Sequence, residues 1–129
     1  MFLKILSAVF IFLHGLVHFW YVILSAQWIK FKPEMGWTGN SWLLDAVIPP
    51  STIRIIAILF YSIAGMAFVV SASGFLWVKE WSNNMLIFSA IFSSISILLF
   101  FDGSTHLLVQ KGLIGLIINI VVILVCYFN

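Results

Sequence analysis

Charge is what this chain has least of. Six Lys and Arg residues and four Asp and Glu residues make it 8% charged, where ordinary soluble domains carry about 25%. The net charge is +2, and basic residues this sparse exclude a nucleic-acid surface or a polybasic lipid patch as the basis of function. Cysteine is nearly absent: Cys126 stands alone, so no internal disulfide can form. Polar connecting sequence is scarce, which leaves no material for a separate catalytic domain in water. There is no HExxH pattern and no phosphate or nucleotide motif, and a serine triad would lack its acid within the apolar runs.

Those apolar runs are what the chain has instead. They cover Phe2–Ile29, Ile53–Val78, Met85–Phe101 and Leu113–Phe128, within a chain that is 64% hydrophobic with a mean hydropathy of +1.20. A helix rises about 1.5 Å per residue, so about 20 apolar residues cross a hydrocarbon core of about 30 Å. The first two runs exceed that length and the last two meet it at the short end. Every backbone group in lipid must be paired within its own helix, and short connections make sequential helices antiparallel. The expected fold is therefore all-α: an integral membrane antiparallel four-helix bundle with spans of about 2–29, 53–78, 85–101 and 107–128. Residues 1–129 form one domain with an interfacial loop over 30–52, and both termini lie on one face.

The first run, with Lys4 ahead of it and Ser25-Ala26 after it, has some look of a secretory signal. It reads better as a span, because it is roughly twice the usual apolar region of ~7–15 residues and Leu24 suits a cleavage site poorly. Ser51 or Thr52 is expected to cap the second helix after Pro49-Pro50, and Ser82 or Asn83 the third. The fourth is expected to start early, capped by Asp102, Ser104 or Thr105, with His106 in its first turn. In the long loop Trp37 and Trp42 suit the headgroup layer, where an indole is half apolar and half wet, and Ser41 can open a short interfacial helix. The loop-bearing face carries Lys30, Lys32, Arg54 and Lys111 against Lys4, Lys79 and the α-amino group opposite, which places the loop in the cytoplasm and the termini outside.

Polar residues inside spans are costly unless they face the bundle interior or water. His14 and His18 lie four apart on one face of the first span, and Ser7, Tyr21 and Ser25 extend that face into a stripe expected to point inward. Two such imidazoles can ligate a metal, relay a proton, hold a polar ligand head, or bond to neighbouring helices and hold the bundle together. A bis-histidine haem needs imidazoles at similar depth. His106, the remaining histidine, is displaced from His14 by about 10 to 15 Å on the helix rise, so a second chain or subunit would have to supply the other ligand. Ser89, Ser93 and Ser96 share a face of the third span, and Gly112, Gly115 and Asn119 one of the fourth. These are packing faces, with Asn119 able to bond across to serine or histidine. Arg54, Asp102 and His106 are expected at one level above the stripe, with Arg54 paired to Asp102 and Asp45 or Glu34 nearby, forming a polar mouth.

The order His14-Gly15-Leu16-Val17-His18, Arg54 opening Ile55-Ile56-Ala57-Ile58-Leu59-Phe60 with Ala64-Gly65 after it, a tryptophan before the third span, Phe101-Asp102-Gly103 ending it, and Gly112-Leu113-Ile114-Gly115-Leu116-Ile117-Ile118-Asn119 resembles the small four-span prokaryotic membrane proteins that are DoxX-like in appearance. The resemblance covers nearly the whole chain. It implies the four-helix fold and a prokaryotic cell membrane. Some DoxX-type members are linked to quinone-coupled sulfur oxidation, and this chain has no paired cysteines for such chemistry.

Two functions are expected from this reading. The first is a small non-enzymatic integral membrane protein, an accessory or structural subunit that packs against membrane lipids, other subunits or further copies of itself. The alternative is a small membrane enzyme or carrier for a quinone-like or isoprenoid-like molecule, using His14, His18 and Asn119 within the bundle and Arg54, Asp102 and His106 at its mouth. No cofactor is specified by the residues.

Overall fold

The computed structural model describes residues 2–30, 32–37 and 39–128, with Pro33 described by its backbone alone. Four helices follow one another along the chain: α1 (Phe2–Ser25), α2 (Pro50–Leu76), α3 (Ser82–Leu99) and α4 (Ile114–Phe128), the last entered through a π-helical segment, Val109–Leu113. With that segment included, all four are long and apolar enough to cross a membrane. Each packs against the next, α1 on α2, α2 on α3 and α3 on α4, while α1 and α4 make almost no direct backbone contact. The result is an antiparallel four-helix bundle with an open seam between its first and last helices.

The helix ends differ from expectation for identifiable reasons. α1 stops at Ser25, short of Ile29, because Gln27 turns left-handed at φ 57° and the Trp28 and Gln27 amides bond back to Ile23 and Leu24. That is a Schellman closure. α2 begins at Pro50, whose missing N–H would have been an orphan at that position anyway, and neither Ser51 nor Thr52 caps it. Ser82 lies inside α3 and donates to Lys79 O at 2.7 Å rather than capping. The fourth helical stretch begins at Val109, not 107, after Leu107 takes a left-handed turn at φ 57°. Within the π segment Gly112 sits at φ 102°, a conformation that other residues rarely adopt.

The tightest helix pair is α1 with α2. A Cβ added at Gly15 would lie 2.9 Å from Phe68 Cβ and 3.1 Å from Gly65 O, so the two backbones approach closely where α1 has Gly15 and α2 has Gly65. Around this crossing sit two apolar clusters, one with Phe68, Ala72, Leu86 and Ala90, the other with Ile53, Ala57, Tyr61 and Phe100.

The long loop does more than lie on the membrane surface. Trp37 is 4% exposed and packs against Tyr61 and Phe100, with ring centroids 6.5 and 5.7 Å away, so it belongs to the core and is not an interfacial anchor. Its indole N–H is satisfied within the loop, by Asn40 O at 2.7 Å, which is what makes burial affordable. Trp42 is exposed as expected. Its indole donates to Leu98 O at 2.8 Å, its backbone N–H to Phe101 O at 2.7 Å, and Ser41 Oγ donates to Leu99 O at 2.6 Å. The loop thus supplies donors to carbonyls at the C-terminal end of α3. In place of a short helix, Ser41 opens a turn: its Oγ accepts from the Leu44 amide and its N–H donates to Asp45 Oδ1, at 3.1 and 3.0 Å.

Candidate functional site

The histidine stripe of α1 faces inward. His14 and His18 are buried, with Tyr21 and Ser25 continuing the face. Ser7 departs from it: it is exposed on the groove where α1 and α4 diverge. The two imidazoles stand edge to face, centroids 5.3 Å apart, against the ring of Phe68.

Donor counting places the protons. Asn119 Nδ2 gives its hydrogens to Ser93 Oγ at 2.8 Å and Ser94 Oγ at 3.2 Å, so Asn119 Oδ1 accepts from His14 Nε2 at 3.0 Å. Ser93, having accepted, donates to His18 Nε2 at 2.6 Å, and His18 Nδ1 donates to His14 O at 3.1 Å. Each ring then carries one hydrogen, and every hydrogen in the chain of bonds meets an acceptor. Asn119 and Ser93 are fully buried, and the bonds join α1, α3 and α4 at the middle of the bundle. A similar contact, Ser71 Oγ to Ser89 Oγ at 3.2 Å, joins α2 to α3. Among the described residues no sealed side-chain nitrogen or oxygen lacks a partner. Both histidine Nε2 atoms are spent on neighbouring helices, and no group of three His, Cys, Asp or Glu among the described residues is placed to hold a metal ion.

The polar mouth does not assemble as expected. The cation that closes on Asp102 is Lys111, at 2.8 Å, with both side chains nine-tenths buried. The left-handed turn at Leu107 and the π segment carry Lys111 back over the 102–104 turn, where its Nζ also donates to Ser104 O at 3.3 Å. Arg54 lies instead beside Gly39, so close that a Cβ there would stand 2.6 Å from Nη2. His106 is exposed outside any helix, its amide bonded to Ser104 Oγ at 3.2 Å. Glu34 sits exposed in a short 3-10 turn and Asp45 in the Ser41 turn. These residues share a face of the bundle, and the ion pair formed there is Lys111–Asp102 in place of the expected Arg54–Asp102.

Beside the histidines the structure shows a cavity that sequence reasoning missed. It has a volume of about 150 Å³ and is walled by His14, His18, Tyr21 and Tyr61 on one side and by the π segment and first turns of α4 on the other. Tyr21 spends its hydroxyl on Gln110 O at 2.7 Å. Tyr61, at the centre of α2, was legible only as one more aromatic in an aromatic-rich span. The sole hint was that a phenol, unlike its neighbour Phe60, needs a partner when buried. Comparison with known proteins finds no matching family model, no matching curated protein and no matching solved structure.

Proposed function

We propose that this small membrane protein is non-enzymatic: an accessory or structural subunit of a prokaryotic cell membrane, packing against lipid and against a larger membrane complex or further copies of itself. The observation that carries this reading is the closed chain of hydrogen bonds His14–Asn119–Ser93–His18. The residues with the greatest chemical capacity in the spans are consumed in joining helices, which is how polar side chains act as glue in a bilayer. The outer faces supply the packing surface. On α4 the residues Ile114, Ile117, Ile120 and Leu124 are each about half exposed, and Asn119 is its one buried residue among those described. The resemblance to DoxX-like proteins belongs to this proposal through its four-helix fold and not through redox chemistry.

The test is purification in mild detergent with an optical spectrum, metal analysis and native mass spectrometry, repeated on the double variant His14→Gln, His18→Gln. The expected outcome is a particle larger than one chain, recovered unchanged from the variant, with no Soret band in either. A monomer carrying only bulk lipid would refute the subunit role. A chromophore or metal that the variant loses would return the histidines to chemistry.

A further inference from the structure

Tyr61 is 3% exposed, yet its hydroxyl has no hydrogen-bond partner among the described residues. It is also not sealed, since no sealed side-chain oxygen is left unpaired, and the cavity it lines is the one beside the histidines. A phenol in a bilayer interior without a partner is costly. It therefore marks a place where something else supplies the acceptor.

From this we infer a binding site for the small neutral head of a single-tailed lipid, whose carbonyl or hydroxyl oxygen accepts from Tyr61. The chemistry of the cavity selects that class. Among the described residues no Lys, Arg, Asp or Glu lines it, and the ring nitrogens of His14 and His18 that face other helices are already engaged with Asn119 and Ser93, so a charged head meets no counter-ion among them. Its size selects a head and not a whole molecule: about 150 Å³ is well short of the roughly 300–1,000 Å³ that encloses a drug-sized ligand. The way in is lateral. The cavity lies between α1 and α4, whose backbones make almost no close contact although His14 and Asn119 bond across, and its edge residues Val17 and Ile114 are each 52% exposed. Gly112 of the π segment and Gly115 of α4 add no side chain to this wall, which Ile114 and Ile118 complete.

The same seam accommodates the tail. One turn further along both helices lies a separate apolar groove of about 490 Å³, lined by Phe10, Phe75, Leu86 and Val122 among others. The His14–Asn119 bond crosses the seam between cavity and groove, so the tail passes on its lipid side. A head at Tyr61 and a tail along this groove bury one molecule against one chain. This inference goes beyond the packing role and does not depend on it, because it concerns neither a partner subunit nor the state of the histidines.

The experiment uses the full chain in phosphatidylcholine nanodiscs, with tritiated hexadecanol as probe and hexadecane and palmitate as comparisons. Hexadecanol is expected to saturate near one molecule per chain, with hexadecane and palmitate failing to displace it at equal concentration. Tyr61→Phe keeps the ring and removes one neutral hydrogen bond, so it should weaken hexadecanol binding about fivefold while helicity and unfolding temperature hold. Ile114→Trp, at the lipid-facing edge, should abolish saturable binding. Equal binding of hexadecanol and hexadecane, unchanged binding in Tyr61→Phe, or stronger binding of palmitate would each overturn the assignment.

Discussion

At the scale of single residues, the bundle shows that a polar side chain's role in a bilayer is decided by what meets it. His14 and His18 have the spacing of a metal pair, and Asn119 and Ser93 turn that spacing to structural use. Asn119 is the hub, since it accepts one bond and donates two, each across to another helix. Replacing it with Leu keeps the branched outline, adds some bulk and removes all three. Hydrogen bonds between membrane helices are worth about 0.6 kcal/mol on average, and a His14 N–H left without its acceptor adds to the loss, so Asn119→Leu should cost about 2 kcal/mol. Unfolding by titration with a denaturing detergent in bicelles measures this. A loss below about 0.5 kcal/mol would show that the bonds are incidental to stability. That Asn119 faces a histidine was legible in the sequence as an option. That Trp37 is core was not, because an indole in a loop between spans has the same composition whether it floats at the interface or folds under.

At the scale of elements, the spans were legible because the hydrocarbon core sets their length, and the ends were not because they depend on local backbone turns. The Gln27 closure and the left-handed residue at Leu107 shift α1 and α4 against their hydropathy limits by a few residues. The 107 turn then decides which cation reaches Asp102. Hydropathy registers none of this, since a left-handed Leu is as apolar as a helical one. The α1–α2 crossing makes a sharper case. At Gly15 a new Cβ meets Phe68 Cβ, which moves only with its backbone, whereas at Gly65 it meets the Phe19 ring at 2.9 Å, the far end of a mobile side chain. Gly15→Ala should therefore destabilise by about 1–2 kcal/mol net, the overpacked contact outweighing the gain in helix propensity that Ala brings at either position. Gly65→Ala should be close to neutral, with the better helix propensity of Ala, worth about 1 kcal/mol, offsetting the adjustment of Phe19. Equal losses at the two positions would mean that the crossing is set by the carbonyl contacts the two glycines share.

For the molecule as a whole, the distribution of basic residues sets which way it faces. The long loop caps one end of the bundle and its basic residues lie on that end: Lys30, Lys32, Arg54 and Lys111, against Lys4 and Lys79 at the other. The Lys111–Asp102 pair does not discount Lys111, because the orientation bias counts Lys and Arg in short loops and gives acidic residues little weight. A phosphatase that works only outside the cell, fused after residue 129, should therefore be active, and a fluorescent protein that matures only in the cytoplasm should stay dark there. The margin is narrow, and that makes the prediction sensitive. Lys30→Gln with Lys32→Gln takes the loop face from four basic side chains to two, level with the other face, so both reporters should then give signal from a mixed population. Because an antiparallel bundle of four spans keeps both termini on one side, inversion would move them together. A fluorescent wild-type fusion would place the loop outside, and with it the end of the bundle nearest the Tyr61 cavity.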